Sequence, residues 1–236
     1  MAASDRPGLR FELKCATDAG AWSKLRAALW TDRACLRRLF PERVVQSIYL
    51  DTDRGRALFE NLSGQSNREK WRVRWYGDDA ELVTAQLEHK VRENAMGWKE
   101  VFALSHPIAV EDMERADFRD ALDERLEPHV RERLHGLVPA QWIRYTREYF
   151  TSADRRLRVT LDRDLKSYDL RVNPTIDRRT PTPLARVLVL EVKCEPEYLD
   201  RARELVGRLP VPVGRSSKFV LASAGSHGPI PSIEEL

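Results

Sequence analysis

The sequence of 236 residues has few cysteines and no long apolar run. Its three cysteines, Cys15, Cys35 and Cys194, lie far apart and form no C-x-x-C pair, and their odd number argues against a disulfide framework. No stretch reaches the roughly 18 apolar residues that span a bilayer, and the N-terminal residues have no signal-peptide core. We therefore expect a soluble, cytoplasmic protein.

Motifs of several common enzyme classes are also missing. The five histidines have no zinc-site spacing, and neither a Gly-rich phosphate loop nor a dinucleotide-binding fingerprint occurs. These absences argue against a zinc enzyme, a P-loop kinase and a Rossmann enzyme. The 40 basic and 37 acidic residues nearly cancel, so the overall charge gives no reason to expect nucleic acid as a partner. Only eight of the basic residues are lysines, which makes each lysine worth inspecting.

Alternation of apolar and charged residues is the strongest positive signal. It runs through residues 9–15, 71–75, 83–90 and 156–162, and such a period of two predicts β-strands. Further strands, giving about eight in all, are predicted at residues 44–50, 98–104, 141–150 and 187–193.

Helical spacing lies between these strands. It predicts helices at residues 21–29, 34–40, 54–62 and 198–209, and a pair of helices within residues 110–134. No Pro/Gly linker divides the chain. We therefore expect one domain over residues 9–222, followed by a flexible C-terminal tail at 223–236.

The polar faces of the predicted strands carry mainly Arg, Lys and Glu, which two architectures allow. One is an open sheet with its charged face in water, which alternation alone favours, and the other is a closed antiparallel barrel with a charged lumen. Two like charges about 6 Å apart repel by roughly 3 kcal/mol at an effective dielectric near 20. A charged lumen would therefore need carboxylates, such as Glu12, Glu88 and Glu191, or a bound polyanion to offset the repulsion.

Eight short motifs carry a family resemblance. They are R-F-E-L-K (10–14), S-I-Y-L-D-T (47–52), W-R-V-R-W-Y-G (71–77), L-E-H-K (87–90), T-R-E-Y-F (146–150), L-R-V-T-L-D-R-D-L (157–165), L-E-V-K (190–193) and R-S-S-K-F-V (215–220). In this order they resemble the VTC domain, the polyphosphate polymerase branch of the triphosphate tunnel metalloenzymes (CYTH-like superfamily). The resemblance implies an α+β fold: a closed eight-stranded antiparallel β-barrel that forms a tunnel, with helices packed outside.

The resemblance also implies the residues of the site. The phosphate-binding set is Lys14, Arg72, Arg74, Lys90, Arg147, Arg158, Lys193, Arg215, Ser217 and Lys218. The members implied to be catalytic are Arg72, Arg74, Lys90, Arg147, Arg158 and Lys193. Glu191 resembles the principal metal ligand, with Glu12 and Glu88 as further candidates. Their hard carboxylate oxygens suit a divalent metal, Mn²⁺ or Mg²⁺.

Two details depart from simple expectation. The superfamily's first strand has two glutamates before its lysine, whereas this chain has Arg10 and only Glu12. This departure weakens a two-carboxylate metal site on the first strand, and it argues against the thiamine-triphosphatase and cyclase branches. In addition, alternation within residues 141–150 favours Arg144 as the inward residue, whereas the motif implies Arg147. A β-bulge would reconcile the two, and we follow the motif.

The function implied by the resemblance is a metal-dependent phosphotransferase. It would move the γ-phosphoryl group of ATP onto a growing polyphosphate chain, for which positioning, charge neutralisation and a metal suffice. The alternatives are a triphosphatase that hydrolyses inorganic or nucleoside triphosphate and a non-catalytic polyphosphate-binding module. We expect ATP, polyphosphate or triphosphate as partners. Coupling to transport would require a separate membrane partner, and the sequence leaves the oligomeric state open.

Overall fold

The computed structural model describes residues 11–78, 81–94, 96–113, 118–171, 181–184, 187–211 and 217–227. Its strands are β1 (Phe11–Asp18), β2 (Arg37–Thr52), β3 (Arg68–Tyr76), β4 (Leu82–Val83), β5 (Gln86–Glu93), β6 (Met96–Ala103), β7 (Ile108–Ala109), β8 (Leu137–Thr151), β9 (Arg158–Asp169), β10 (Thr182–Pro183) and β11 (Val187–Cys194). Its α-helices are α1 (Trp22–Thr31), α2 (Arg56–Leu62), α3 (Val110–Met113), α4 (Phe118–Asp123), α5 (Pro128–Arg133), α6 (Leu199–Arg208) and α7 (Lys218–His227).

Eight strands form one curled antiparallel sheet in the order β1-β11-β9-β8-β2-β3-β5-β6, and β10 pairs with β9. The short strands β4 and β7 pair separately. Together with the helices, this sheet confirms the predicted α+β class and the eight antiparallel strands. Within the described residues no hydrogen-bonded ladder joins β1 to β6, so the sheet is a half-barrel there.

Helices cover the convex side of the half-barrel in two places. One apolar cluster joins β2, β3 and β8 to helices α3, α4 and α5, with Trp75 and Trp142 fully buried in it. A second cluster joins β9 and β11 to α1 and α6. Both clusters use the apolar residues of the alternating strands, which leaves the charged residues of the same strands for the concave side.

The C-terminal helix α7 packs on the concave side. Phe219 is buried and stacks on Tyr49 with 4.9 Å between ring centroids, and Leu221 packs in the same apolar cluster as Ile143 and Val189. The helix continues to His227, past residue 223, where the flexible tail is predicted to begin. Residues 228–236 lie outside the described residues, and the division at 222/223 stays a prediction.

One local prediction is wrong. Residues 34–40 were predicted as a helix, yet β2 begins at Arg37, because long-range pairing of Arg37 with Thr151 on β8 overrides the local spacing. The stretch 110–134 is helical where it is described, in α3, α4 and α5, and Pro128 begins α5, a position that suits proline. Residues 114–117 lie outside the described residues, so the predicted pair of helices stays a prediction. Among the described helices, none has both the length and the apolar character needed to cross a bilayer.

Candidate functional site

A basic cavity of about 100 Å³ lies on the concave side of the half-barrel, and we call it the tunnel cavity. Eight cationic side chains, two carboxylates, two tyrosines and a serine line it. They are Lys14, Lys70, Arg72, Arg74, Lys90, Arg147, Lys193, Lys218, Glu12, Glu191, Tyr49, Tyr145 and Ser217. The cavity therefore brings together ten of the thirteen residues predicted from the sequence and adds Lys70 and the two tyrosines.

Strand alternation explains how these side chains converge. On β3, Lys70, Arg72 and Arg74 face the cavity, while Trp71 and Val73 between them are buried in the convex core. Successive side chains of a strand point to opposite faces, so residues two apart address the same ligand. The pairs Glu12 and Lys14 on β1 and Glu191 and Lys193 on β11 follow the same rule.

Glu191 is the most enclosed carboxylate of the cavity lining. Its Oε1 lies 3.2 Å from Lys218 Nζ, and its Oε2 lies 3.6 Å from both Arg147 Nη2 and Lys193 Nζ. Burial alone raises the pKa of Glu191, but the surrounding cations, Lys218 first, lower that pKa well below its ordinary value. The carboxylate is therefore ionised at neutral pH.

Glu12 connects β1, at one end of the sheet order, to β5, the last strand but one at the other. Its carboxylate lies 3.1 Å from Lys193 Nζ, 3.4 Å from Lys14 Nζ and 3.5 Å from Lys90 Nζ. Burial raises the pKa of Glu12, but Lys14 and the other two lysines outweigh it and lower the pKa to about 2. Because Lys90 belongs to β5, its ion pair with Glu12 spans the side of the half-barrel where no ladder forms.

Arg147 is held by Asp162, which is fully buried. The guanidinium donates two hydrogen bonds to the carboxylate, at 2.6 and 2.7 Å, and Lys218 Nζ lies 2.5 Å from the same group. Burial lowers the pKa of Arg147, yet Asp162 raises it well above the ordinary value. Arg147 therefore keeps its charge inside the protein.

Arg144, the residue that alternation favoured, pairs with Asp78 and does not line the tunnel cavity. The alternation argument fails because the inward face of β8 also carries Tyr145, so charge alone does not mark that face. The bulge lies on β9, where the register with β8 shifts between Arg144 and Thr146 and Asp164 has a φ of 54°.

Glu88 does not line the tunnel cavity and lies opposite Arg72 on the neighbouring strand. It accepts a hydrogen bond from Arg72 Nε at 2.7 Å and one from Lys99 at 2.9 Å, and Arg74 Nη1 lies 3.8 Å away. Burial raises the pKa of Glu88, but Arg72 and Arg74 lower it to about 2. Its metal-ligand assignment stays a prediction, and its visible contacts are those of a counter-charge that orients Arg72.

Sequence reasoning did not select Lys70. Its Nζ donates to Ser217 Oγ at 3.0 Å, and no carboxylate of the described residues lies within ion-pair distance. Burial, followed by Lys14 and Lys90, lowers the pKa of Lys70 well below its ordinary value. Two signals pointed to it: the shared strand face with Arg72 and the scarcity of lysine.

The two tyrosines that the sequence analysis missed support the arginines. Tyr49 Oη accepts from Arg72 at 3.0 Å, and Tyr145 Oη accepts from Arg74 at 3.2 Å. Neither tyrosine has a sequence signal for this role, because an inward aromatic residue cannot be distinguished from a core residue by alternation alone.

One predicted phosphate-binding residue, Arg158, does not line the tunnel cavity. It lines a neighbouring cavity, and the two cavities share Lys193. The prediction for Arg215 falls outside the described residues. Ser217 and Lys218, from the same motif as Arg215, both line the tunnel cavity at the start of α7.

The cavity carboxylates suit a hard divalent cation. No group of three or more His, Cys, Asp or Glu side chains with metal-site geometry occurs in the described part of the chain. However, Glu12 and Glu191 both contact Lys14 and Lys193, which places the two carboxylates side by side. Mg²⁺ is commonly held by one or two carboxylates together with substrate phosphates, so this donor pair fits such an ion.

Comparison with known proteins identifies the family of the chain. The family model of the VTC domain matches residues 23–227, most of the chain. The chain belongs to the VTC domain family. A search of curated proteins finds no match.

Two solved structures resemble this VTC domain. A candidate adenylate cyclase from Bacillus halodurans is 11% identical, with a TM-score of 0.50, and the match covers 89% of this chain and 94% of that one. A candidate adenylate cyclase from Vibrio parahaemolyticus is 14% identical, with a TM-score of 0.47 and coverage of 92% and 99%. At 11% identity the B. halodurans likeness concerns the fold and not the reaction.

Proposed function

We propose that this VTC domain is a polyphosphate polymerase, which transfers the γ-phosphoryl group of ATP to the end of a growing polyphosphate chain. The observation that carries the proposal is the lining of the tunnel cavity, where eight cations face only two carboxylates. Asp162 and Glu88, which pair with the lining residues Arg147 and Arg72, add two more carboxylates. A phosphate chain supplies the remaining negative charge along a line rather than at a point.

The composition of the tunnel cavity supports a phosphate chain as its occupant. Eight of its thirteen lining residues carry a positive charge. Such a lining suits phosphate groups better than the uncharged nucleoside of ATP. The nucleoside is therefore expected outside this cavity, with its phosphates inside.

The residues allow phosphoryl transfer by positioning and charge. A terminal oxygen of the chain attacks the γ-phosphorus, the bond from that phosphorus to the β–γ bridging oxygen breaks, and ADP leaves with the electron pair. Arg72 and Arg74 present planar donor forks to phosphate oxygens, while Lys14 and Lys193 act as compact charges. No protein nucleophile is needed, because these groups stabilise the charge that spreads over the transferred phosphoryl group.

Glu12 and Glu191 are the residues that would hold the divalent metal, Mn²⁺ or Mg²⁺. When bound, the ion would neutralise charge on the phosphate oxygens. Both carboxylates are kept ionised by the lysines around them, which suits them as ligands.

A closed tunnel belongs to the same proposal. The ion pair between Lys90 and Glu12 spans from β5 to β1, and Lys70 reaches Ser217 at the start of α7. These contacts support closure of the half-barrel by side chains around the polyphosphate chain. A cytoplasmic location and a membrane partner stay predictions from the sequence, and the oligomeric state stays open.

The deciding experiment incubates the purified protein with ATP and Mn²⁺ or Mg²⁺ and separates the products on a gel that resolves phosphate chains. Long chains together with ADP are expected, and chelation of the metal should stop synthesis. Release of free phosphate without chains would instead indicate a triphosphatase. Binding of polyphosphate without turnover would indicate a non-catalytic module.

Matched variants test whether synthesis depends on the tunnel cavity. Arg74→Gln should lose most of the activity, because Arg74 lines the tunnel cavity. Arg92→Gln removes the same charge from an exposed position on β5 and should leave activity unchanged. Equal effects of the two substitutions would contradict the assignment of the site.

A further inference from the structure

A second cavity of about 330 Å³ adjoins the tunnel cavity, and we call it the outer cavity. Its lining includes Thr151, Arg155, Arg156, Arg158, Lys193 and Glu195. Lys193 lines both cavities, so the basic lining continues from one into the other. The loop that supplies Arg155 and Arg156 joins β8 to β9 and carries none of the residues assigned to phosphate above.

The order of side chains along the strands shows where the outer cavity lies. On β8, Ile143 and Tyr145 belong to the apolar cluster with α7, Arg147 follows in the tunnel cavity, and Thr151 reaches the outer cavity. On β11, Val189 belongs to the same apolar cluster and Lys193 to both cavities. The outer cavity is therefore on the side of the tunnel cavity that faces away from α7.

The charge of the outer cavity suits an anion. Four of its lining residues are cationic and one, Glu195, is acidic. Arg155 and Arg156 are exposed, and neither has an ion-pair partner among the carboxylates that the structure describes. No aromatic side chain lines the cavity within the described ranges, so it has no stacking surface for a nucleobase. These features favour a chain of phosphates over a nucleoside.

Hydrogen bonds restrain the loop that carries the two arginines. Ser152 Oγ donates to Asp154 at 2.6 Å and accepts from Leu157 N at 3.0 Å, and Arg201 of α6 donates to Asp154 at 2.5 Å. Arg156 also lies over the ring of Tyr198, 5.1 Å from its centroid. A loop with these restraints loses little conformational freedom when its arginines bind a ligand.

We propose that the outer cavity is a second phosphate-binding subsite, which holds the part of the polyphosphate chain that has already left the tunnel cavity. This inference rests on the proposed function and adds a site to it. A chain long enough to occupy both cavities gains affinity from a second, linked contact. A triphosphate occupies the tunnel cavity alone and gains nothing from the outer cavity.

The test measures equilibrium binding rather than turnover. Arg155→Gln and Arg156→Gln are combined in one variant, since both side chains are exposed and Gln is no more strained than Arg at the φ of 61° of residue 155. The ligands are tripolyphosphate and a polyphosphate several times longer, and affinities are measured by calorimetry. The control combines Arg54→Gln with Arg203→Gln, two exposed positions outside both cavities.

The loop variant should bind the long chain about tenfold more weakly than the wild type, as expected for two exposed charge contacts. Its affinity for tripolyphosphate should equal that of the wild type, and the control variant should match the wild type for both ligands. Unchanged affinity for the long chain, or an equal loss for both ligands, would overturn the inference. Failure of the wild type to bind either phosphate would instead refute the proposed function.

Discussion

At the scale of single residues, the tunnel cavity depends on how each cation is compensated. Seven of the eight lining cations have a carboxylate within ion-pair distance, and Lys70 has none among the described residues. Compensated cations are held in position but attract a ligand less strongly, since carboxylates already neutralise part of their charge. Lys70 is surrounded by cations instead, so it gains most when an anion arrives.

Binding of tripolyphosphate should therefore be linked to protonation of Lys70. Burial and the neighbouring cations lower the pKa of Lys70 well below its ordinary value, and a bound anion raises it again because an opposite charge favours the protonated form. At a pH between the lowered pKa of the free protein and the raised pKa of the complex, binding should take up protons from solution. Calorimetry in buffers of different ionisation enthalpy measures this uptake.

Lys70→Gln should abolish the proton uptake while the folded protein still binds tripolyphosphate through the other cations. Lys24→Gln, which changes a lysine on α1 outside the cavity, should leave the uptake intact. Uptake that persists in Lys70→Gln would assign the proton to another group.

Glu88 should make stability depend on acid pH. Its pKa falls from an ordinary 4.5 to about 2 in the folded protein, so its contribution is complete above pH 4.5 and is lost as pH falls towards 2. A shift of this size corresponds to about 3 kcal/mol. Urea unfolding between pH 7 and pH 3 should show a smaller fall in the free energy of unfolding for Glu88→Gln than for the wild type.

The same substitution should also lower stability at pH 7, because it leaves Arg72 without its buried counter-charge, a loss of about 3 kcal/mol or more. Glu124→Gln, at a largely exposed position, should change neither quantity. A pH profile of Glu88→Gln identical to that of the wild type would show that Glu88 does not carry the acid dependence.

At the scale of elements, α7 links the apolar part of the concave side to the basic part. Its first turn presents Lys218 to Asp162 and Glu191, and the next residue, Phe219, anchors the helix by stacking on Tyr49. The Tyr49 hydroxyl in turn accepts a hydrogen bond from Arg72. Packing of one aromatic ring therefore positions two cations of the tunnel cavity.

Phe219→Ala should cost about 3–5 kcal/mol of stability, as expected for truncating a buried aromatic residue. It should also weaken tripolyphosphate binding by the protein that remains folded, because Lys218 and Arg72 lose their support. Urea unfolding and calorimetry on the folded fraction measure the two effects. Phe118→Ala, at an equally buried position on α4 of the convex side, should lower stability similarly without changing affinity. Equal losses of affinity in both variants would contradict the positioning role assigned to α7.

The elements also show what the sequence could predict. Strands such as β3 and β11 were predictable because one face is apolar over residues 71–75 and 188–194, respectively, and the other face carries charge. The concave face of β8 was not predictable from charge, since it carries the aromatic Tyr145 and then the cationic Arg147 within one strand. Pairing at long range extended β2 back to Arg37 against the local helical spacing, and no local pattern carries that information. The cavity residues came mainly from the family motifs, whereas Lys70, Tyr49 and the outer cavity required the fold.

At the scale of the whole molecule, charge is nearly balanced but unevenly distributed. The chain has a formal net charge of only +3, yet eight cations line one cavity of about 100 Å³. Such clustering opposes folding, because like charges repel more strongly where water is partly excluded. A ligand that neutralises the cluster relieves this repulsion only in the native state, so it should stabilise the protein beyond its local contacts.

Tripolyphosphate should therefore raise the melting temperature. At a ligand concentration about 100 times Kd, mass action adds about 2.7 kcal/mol to the stability of the native state, which corresponds to roughly 5–11 °C for a chain of this length. Sulfate at equal ionic strength should give a much smaller rise, since it cannot contact cations along the whole cavity. Arg72→Ala should reduce the rise for tripolyphosphate, because it removes a cation that β3 points directly into the cavity. Equal shifts with sulfate and tripolyphosphate would mean that the cavity responds to ionic strength rather than to a phosphate chain.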